Sequence, residues 1–227
     1  MWPRGHIVKS LNISPKNTFR NLPVDKQRRI TAAAVHEFAE YGFKQASVNR
    51  IVKETGIAKG SLYQYFDGKE ALYLHVFSDF IGLVKKTVKE NENNDEGEVF
   101  SRIRFVINAG VQFIKTHPEY FRLYSRLLSE EESPYRLELL AKVRFFPIEY
   151  FEPLIRKGQD EGRIRTDVAV DLIVFMIDSV LDRFLLTISS GQGCEIICQS
   201  EPEDYEAIID QIIRLLEDGM AVSLPAN

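Results

Sequence analysis

The sequence predicts an all-α protein, and two observations support that prediction. Apolar residues recur at helical spacing through most of the 227 residues, with glycine, proline and capping residues where the runs end. We find no convincing strand alternation and no internal repeat. Because 44% of the residues are apolar, the chain can bury a core without disulfides or a structural metal.

The N-terminal part is predicted to contain an arm and three helices. Residues 1–22 include several prolines and no sustained period, which indicates a flexible arm. The first helix is expected over Asp25–Gly42, with the aspartate as N-cap and the glycine ending the apolar period. A second, Ser47–Thr55, begins at a serine N-cap, Gly56 then turns the chain, and a third spans about Ala58–Tyr65.

The rest of the chain is predicted to form six longer helices. A polar run at residues 91–98 separates the first two of them. Pro147 and Pro153 lie inside the fourth, where the missing backbone donors predict a kink or break. The expected segments are Lys69–Lys89, Val99–Thr116, Pro118–Ser129, Pro134–Asp160, Val168–Ser189 and Glu203–Asp218.

The charge of the chain changes sign near Phe66. Residues 1–66 carry eleven Lys or Arg against four Asp or Glu, whereas residues 67–227 carry eighteen against twenty-nine. The whole chain has a formal net charge of -4. This asymmetry indicates a basic nucleic-acid module joined to an acidic domain, although blocks of charge also occur on ordinary solvated faces.

Composition also limits the compartment. The two cysteines, Cys194 and Cys198, are too few for a disulfide framework, and no signal peptide is recognisable, so we expect a cytoplasmic protein. The segment Val168–Ile188 is apolar enough to suggest a membrane span, but it contains four charged residues. Each central charge would cost about 2.5 to 3.5 kcal/mol in a membrane, which favours a buried helix and no membrane partner.

The most informative stretch is Ser47–Phe66. A helix-turn-helix needs a first helix that crosses the DNA backbone, a glycine at the turn, apolar anchors, and a second helix that enters the major groove. Gly56 supplies the turn, and Ile51, Ile57 and Leu62 supply the anchors.

This stretch resembles the N-terminal domain of the TetR family of transcriptional repressors. The matching residues are Gly-Ser-Leu-Tyr-Gln-Tyr-Phe at 60–66 and Lys-Glu-Ala-Leu at 69–72, and the match extends over about residues 26–75. Val52 departs from the alanine that the family often has there. The resemblance implies a three-helix DNA-binding domain at 23–70 and a larger helical domain at 71–227 for ligand sensing and dimerisation.

The resemblance and the residue chemistry together imply which side chains contact DNA. Ser47, Lys69 and the two tyrosines suit phosphate or sugar, although Tyr65 also suits the core. The other polar side chains suit base edges, because Lys or Arg can pair with guanine and Gln or Asn with adenine. The candidates are Ser47, Asn49, Arg50, Lys59, Gly60, Ser61, Tyr63, Gln64, Tyr65 and Lys69.

The second domain is implied to hold a small, mainly apolar effector. Its polar residues on apolar stretches need partners, which either a ligand or internal salt bridges could provide, and its aromatic residues could equally form an ordinary core. The candidate ligand-binding residues are His75, Phe105, Asn108, Gln112, Phe121, Arg122, Tyr124, Phe146, Phe175, Asp178 and Asp182.

The last two predicted helices have more apolar surface than one protomer can easily cover. In the family these helices form the interface of a homodimer, which implies a pseudo-palindromic operator with half-sites about 34–36 Å apart. The candidate interface residues are Leu172, Phe175, Met176, Ile208, Ile209, Ile212, Ile213 and Leu216.

Two other classes of function compete with this interpretation. An enzyme is disfavoured because the sequence has no Gly-rich phosphate loop, no His-Glu-x-x-His motif and no serine nucleophile elbow, and no cofactor is expected. Cys194 and Cys198 could form a redox or metal pair, but no histidine lies close to them in sequence. A helical interaction protein that has lost operator binding is the other alternative, and it would lack salt-sensitive binding to DNA.

Overall fold

The structure, a computed structural model, describes residues 15–90, 99–130, 133, 135–190 and 205–221; the side chains of residues 90, 144–147 and 190 are not described. Within these ranges the chain contains helices and no strand, and the prediction of an all-α fold is confirmed. One isolated antiparallel bridge joins Ile164 to Ala221.

Ten helices lie in the described ranges. Those predicted over Val99–Thr116 and Pro118–Ser129 have the predicted bounds, and the others differ by a few residues at one or both ends. The helices are α1 (Asn17–Arg20), α2 (Val24–Gln45), α3 (Val48–Thr55), α4 (Lys59–Tyr65), α5 (Lys69–Glu90), α6 (Val99–Thr116), α7 (Pro118–Ser129), α8 (Arg136–Asp160), α9 (Val170–Ser190) and α10 (Tyr205–Met220).

The described residues form two compact units. Unit 1 comprises those of Met1–Leu83 and His117–Val143, and unit 2 comprises those of Val84–Thr116 and Arg144–Asn227. Helix α7 therefore belongs to the same compact unit as α2 to α4. The boundary expected after residue 70 divides the chain by function and not by compactness, and it stays a prediction.

Aromatic packing holds unit 1 together. Phe38 of α2 is fully buried and meets the Tyr73 ring edge-on at 4.9 Å, and Tyr73 meets Phe77 in the same way. Helix α2 also packs against α3 and α7. Burial raises the pKa of Tyr73 to about 12, and its hydroxyl shares a 2.9 Å hydrogen bond with Ser133. The tyrosine is thus a neutral core residue with a satisfied polar end.

Unit 2 has a mainly aliphatic core, with three buried phenylalanines, in which α6 packs against α9 and α10. Ile103, Ile155 and Ile164 are fully buried there. Gly110 of α6 allows a close approach, because a Cβ atom at this position would come within 2.7 Å of the Leu185 side chain of α9. The two helices can therefore pack more closely here than larger side chains would permit.

Four features differ from the sequence prediction or refine it. Helix α2 begins after Pro23, so Asp25 lies in its first turn, where a carboxylate is favoured by the helix dipole, and is not the N-cap. Gly42 interrupts the helical backbone, with φ 68° and ψ 175°, but the segment continues to Gln45. Helix α8 continues through both Pro147 and Pro153 and is not broken at either proline.

The fourth difference concerns the expected flexible arm. Residues 1–14 lie outside the described residues, but the chain is packed from Pro15 onwards. Asn17–Arg20 forms α1, and Phe19 is only 2% exposed. The expectation of flexibility was wrong for residues 15–22, because Phe19 anchors this segment among buried aromatic side chains.

Candidate nucleic-acid interface

Helices α3 and α4 are joined by a tight turn at Gly56. This glycine has φ 67° and ψ 25°, a left-handed conformation that a residue with a side chain rarely adopts. The Ile57 N–H donates to the Val52 carbonyl at 3.2 Å and closes the turn. Ile51 and Leu62 are buried on either side of the turn, and Ile57 is half-buried. The geometry is that of a helix-turn-helix, as the motif predicts.

Helix α4 presents one polar face and one apolar face. Lys59, Gly60, Tyr63 and Gln64 are exposed, and their spacing places them on one side of the helix. Leu62 and Tyr65 are buried on the other side. The exposed face can therefore enter a groove while the buried face is held by the core.

Tyr65 has a different role from the expected one. It is 7% exposed and its ring lies 6.1 Å from that of Phe19, so it is a core residue and cannot reach DNA without moving. Tyr63, by contrast, is 45% exposed. Ser61 is half-buried at the edge of the exposed face, and Asn49 is exposed on α3.

A buried carboxylate organises the start of α3. Glu37 of α2 is 3% exposed and accepts a hydrogen bond from the Ser47 N–H at 2.6 Å. The same carboxylate accepts hydrogen bonds from Arg50 Nε and Nη2, at 2.6 to 3.0 Å. The Arg50 guanidinium, which the sequence suggested for DNA, and the Ser47 N–H are therefore both engaged within the protein.

Arg50 is further restrained by the chain around it. Its Nη2 donates to the Gln45 carbonyl at 2.8 Å, and its guanidinium lies 4.1 Å above the centre of the Tyr41 ring. The expectation that Arg50 reads a base is accordingly revised to a structural role. Glu37 was missed by the sequence analysis, although its position three residues after Ala34 places it on the apolar face of α2.

Lys69 also has a structural role. Its ammonium donates to the carbonyl oxygens of Phe43 at 2.8 Å, Lys44 at 3.3 Å and Ala46 at 3.1 Å. The same Nζ lies 4.5 Å from the centre of the Phe43 ring. A lysine that caps three carbonyls at the end of α2 is not available as a point charge for phosphate, which corrects the expected role.

The candidate effector residues are divided between the two units. His75, Phe121, Arg122 and Tyr124 belong to unit 1, and the others that are described belong to unit 2. Among the latter, Phe105, Asn108, Asp178 and Asp182 are half-buried, whereas Gln112 and Phe175 are exposed. Phe146 lies among the side chains that are not described.

Two candidates in unit 1 have clear alternative roles. Arg122 is exposed and pairs with Glu40 at 3.2 Å, so it is a surface ion pair and not a buried polar group. His75 packs against the rings of Phe19 and Phe66 at 5.1 and 5.2 Å, and its Nε2 lies 3.2 Å from Thr31 Oγ1. Burial lowers the pKa of His75, so the neutral imidazole is the native form.

The candidate dimer residues divide into exposed and buried groups. Leu172, Phe175 and Met176 are each about half exposed on α9. Ile209 and Ile213 are buried against the core of unit 2, which corrects the expectation that they face a partner. A helix with apolar residues on two sides must turn one of them inward. Ile208, Ile212 and Leu216 of α10 are half-buried.

Within the described ranges, no group of three or more His, Cys, Asp or Glu side chains that could hold a metal ion occurs. Cys194 and Cys198 lie outside those ranges. None of the described helices is both long and apolar enough to cross a membrane.

Comparison with known proteins identifies the family. A sequence model described as bacterial regulatory proteins, tetR family, matches residues 30–76. YdgC, an HTH-type transcriptional regulator of Bacillus subtilis (strain 168), is 28% identical over 168 residues, which are 72% of this chain and 83% of that protein. The HTH-type transcriptional repressor AcnR of Corynebacterium efficiens is 25% identical over 182 residues, covering 76% and 87% of the two chains.

A solved structure agrees over almost the whole chain. A TetR family transcriptional regulator from Chloroflexus aurantiacus J-10-FL superposes with a TM-score of 0.71 at 26% identity, covering 92% of this chain and 100% of that one. Its likeness extends the relationship beyond the matched N-terminal domain. The chain therefore belongs to the TetR family of DNA-binding transcriptional regulators, which are not enzymes.

Proposed function

We propose that this regulator is a repressor that binds a pseudo-palindromic operator as a homodimer and is released by a small, mainly apolar effector. The observation that carries the proposal is the exposed face of α4, where Lys59, Tyr63 and Gln64 project away from the buried Leu62 and Tyr65. A protein that binds operator DNA works where the DNA is, so a cytoplasmic location belongs to the same proposal.

The DNA contacts are proposed in two groups. Lys59, Ser61 and Gln64 read base edges, with Asn49 of α3 at the margin, because their donors and acceptors suit guanine or adenine. Tyr63 contacts phosphate or sugar, and Gly60 allows the backbone to approach the DNA closely. Ser47 keeps its hydroxyl for a phosphate, since the structure gives that hydroxyl no capping bond at the start of α3.

Dimerisation is proposed to use exposed apolar residues of α9 and half-buried apolar residues of α10. Leu172, Phe175 and Met176 form one group, and Ile208, Ile212 and Leu216 form the other. Burying such a surface between two copies removes apolar area from water, at about 25 cal/mol per Å². A two-fold axis then presents two α4 helices to successive turns of the major groove.

The effector is proposed to bind within unit 2. Phe105, Asn108, Asp178 and Asp182 are half-buried on α6 and α9, in a unit whose buried core is apolar. A mainly apolar compound with one or two polar groups, such as a fatty-acyl or aromatic molecule, suits these residues. It would release DNA by binding more tightly to a dimer conformation that does not fit the operator.

DNase footprinting on DNA flanking the protein's own gene tests the proposal. Over a range of salt concentrations, we expect a protected pseudo-palindrome whose affinity falls steeply with salt. Gln64→Ala should abolish the specific footprint, whereas Gln211→Ala, an exposed glutamine on α10, should leave it intact. Uniform weak protection by the wild type at every salt concentration would contradict specific operator binding and favour an interaction protein.

The effector is tested by release from the same site. Fatty acyl-coenzyme A esters and hydrophobic aromatic compounds are added to the complex, and release is followed by fluorescence anisotropy. An Asn108→Leu variant should keep DNA binding and lose the response. A response that is identical in wild type and variant would place the effector elsewhere.

A further inference from the structure

The last carbonyl groups of α4 are capped from a distant part of the chain. The final four carbonyls of an α-helix have no intrahelical N–H partner. In α4, the Leu62 carbonyl accepts from the Phe66 N–H at 2.9 Å, as the chain leaves the helix. The remaining three, those of Tyr63, Gln64 and Tyr65, all accept hydrogen bonds from residues 16 and 18.

We call residues 15–22 the N-terminal strap. The Lys16 N–H donates to the Tyr65 carbonyl at 3.0 Å, and Lys16 Nζ donates to the Tyr63 carbonyl at 3.1 Å. Thr18 Oγ1 donates to the Gln64 carbonyl. Lys16 Nζ also pairs with Asp67 at 2.5 Å, just beyond α4. The strap therefore satisfies every carbonyl at the end of α4 that the helix and its next residue leave open.

The strap is itself fixed on two sides. Phe19 is 2% exposed, with its ring 4.8 Å from that of Phe66 and 5.1 Å from that of His75. On the other side, Gln27 of α2 donates through Nε2 to the Leu22 carbonyl at 2.8 Å and the Arg20 carbonyl at 3.1 Å. These contacts tie the end of α4 to the first turns of α2.

We propose that the strap is a positioning element for the recognition helix, raising operator affinity by fixing the orientation of α4 without contacting a base. This inference rests on the proposed DNA binding. Helix α4 has only seven residues, too few to be stable alone, so its direction depends on what holds its two ends. The Gly56 turn holds the first end, and the strap holds the second.

Orientation matters because base reading is geometrically demanding. A side chain that makes two hydrogen bonds to one base edge loses both when its helix tilts, whereas contacts of a cation with phosphate tolerate small displacements. A loosened strap should therefore reduce specific affinity and leave non-specific affinity nearly unchanged. A protein that is simply less folded would lose both together.

Thr18→Val tests this with a minimal change. It removes one hydroxyl from an exposed, uncharged position. Thr116→Val is the matched control, because the Thr116 hydroxyl donates to the Gln112 carbonyl within α6 at 2.8 Å. The probes are the duplex that the wild-type protein selects from a random-sequence library and, for non-specific binding, poly(dI-dC). Amide hydrogen exchange in α4 is measured in parallel without DNA.

For Thr18→Val, we expect a Kd for the selected duplex that is about three- to tenfold higher, the usual worth of one hydrogen bond. The Kd for poly(dI-dC) and the salt dependence should match those of the wild type, since no charge is lost. Exchange in α4 should be faster. Thr116→Val should change none of these quantities.

A second pair of variants tests the contribution of the Phe19 ring. Phe19→Ala should weaken operator binding more than Thr18→Val, and Phe19→Leu should restore much of the loss, with thermal unfolding used to confirm that each variant is folded. Unchanged operator affinity in Thr18→Val and Phe19→Ala would overturn the inference, as would equal losses for both DNA probes. Should the wild type select no sequence, the proposed function fails, and unchanged exchange in α4 would separately refute the strap's role.

Discussion

The carboxylate of Glu130 lies over Gly42, where helix α2 leaves helical geometry. Glu130 Oε2 accepts a hydrogen bond from the Phe43 N–H at 3.4 Å, and Arg126 in the last turn of α7 pairs at 3.2 Å with Glu130, the residue that follows this helix. Arg126 Nε also donates to the Ala39 carbonyl at 2.6 Å. The C-terminal end of α7 and its cap residue thus carry a pair of opposite charges that holds the end of α2 within unit 1.

Gly42→Ala is expected to destabilise the protein by about 1–3 kcal/mol, because the left-handed φ strains any side chain and the new Cβ would overlap the Glu130 carboxylate. Urea unfolding measures the change. Gly82→Ala is the control: its Cβ would meet nothing within 4 Å, and alanine should stabilise α5 by up to about 1 kcal/mol. A neutral Gly42→Ala would show that α2 can end without this turn.

The buried carboxylate at the start of α3 gives a second prediction. Glu37→Gln replaces the acceptor of Arg50 and of the Ser47 N–H with a neutral amide, and we expect a loss of about 1–3 kcal/mol in the free energy of unfolding. Glu40→Gln, the same substitution one turn later, removes only an exposed pair with Arg122 and should cost under about 0.5 kcal/mol. Equal effects would mean that burial of Glu37 is unimportant.

Two lysines should behave in opposite ways. Lys69→Met removes three carbonyl contacts at the end of α2, so it should lower stability by about 1–3 kcal/mol. Lys59→Met removes an exposed cation from α4, so it should leave stability within about 0.5 kcal/mol. Operator Kd should rise at least about fivefold in Lys59→Met.

The comparison is made by urea unfolding and by titration with operator DNA at several salt concentrations. The salt dependence of binding should not change in Lys69→Met, because this lysine contacts no phosphate. If Lys69→Met is as stable as the wild type and its DNA binding depends less on salt, the result would support the phosphate contact expected from the sequence.

His75 should make stability fall in mild acid. Burial lowers its pKa below the ordinary value of 6.5, so the unfolded chain binds a proton more readily than the folded one. The free energy of unfolding begins to decrease as the pH falls below about 6.5, and the decrease ends once the pH lies below the pKa that His75 has in the folded protein. The groups around His75 are Thr31, Phe19, Phe66 and Asp79.

Urea unfolding from pH 8 to pH 5 compares the wild type with His75→Gln. The variant should lack the decrease in the free energy of unfolding that protonation of His75 causes. His36 is a control of opposite sign, because its contact with Glu119 raises its pKa. The stabilisation that His36 provides is complete below the pKa that His36 has in the unfolded chain. It is lost as the pH rises through the higher pKa that His36 has in the folded protein. Parallel curves for wild type and His75→Gln would contradict the prediction.

The proposed dimer gives a fifth prediction. Met176→Glu places a charge in the exposed apolar group of α9 and should convert the protein to a monomer, as measured by light scattering after size-exclusion chromatography. Leu137→Glu is the control, because Leu137 is 71% exposed on α8 but lies outside the proposed interface. Dissociation by Leu137→Glu, with Met176→Glu still dimeric, would move the interface to α8.

Local signals predicted much of the fold. The start of α7 follows from Pro118 at its first position, and the α3–α4 turn follows from Gly56, because such residues act on their own backbone whatever surrounds them. The exposed face of α4 was predictable for the same reason, since a seven-residue helix with buried Leu62 and Tyr65 has only one side left.

Contacts between distant residues were not predictable in this way. Lys69 and Arg50 look like DNA-binding cations in the sequence, and only the folded chain brings carbonyls and a carboxylate to them. Phe19 belongs to a segment too short to show a period. Ile209 and Ile213 share a helix with apolar residues on two sides, so the pattern alone cannot say which side faces the core.

The division of α4 into an inner and an outer face has a practical consequence for engineering. Lys59, Ser61 and Gln64 can be randomised together to seek regulators of new operators, since none of them is needed to bury Leu62 or Tyr65. Transplanting residues 59–65 into another scaffold is a poorer route, because two turns of helix bring along neither the Gly56 turn nor the carbonyl partners that shape them.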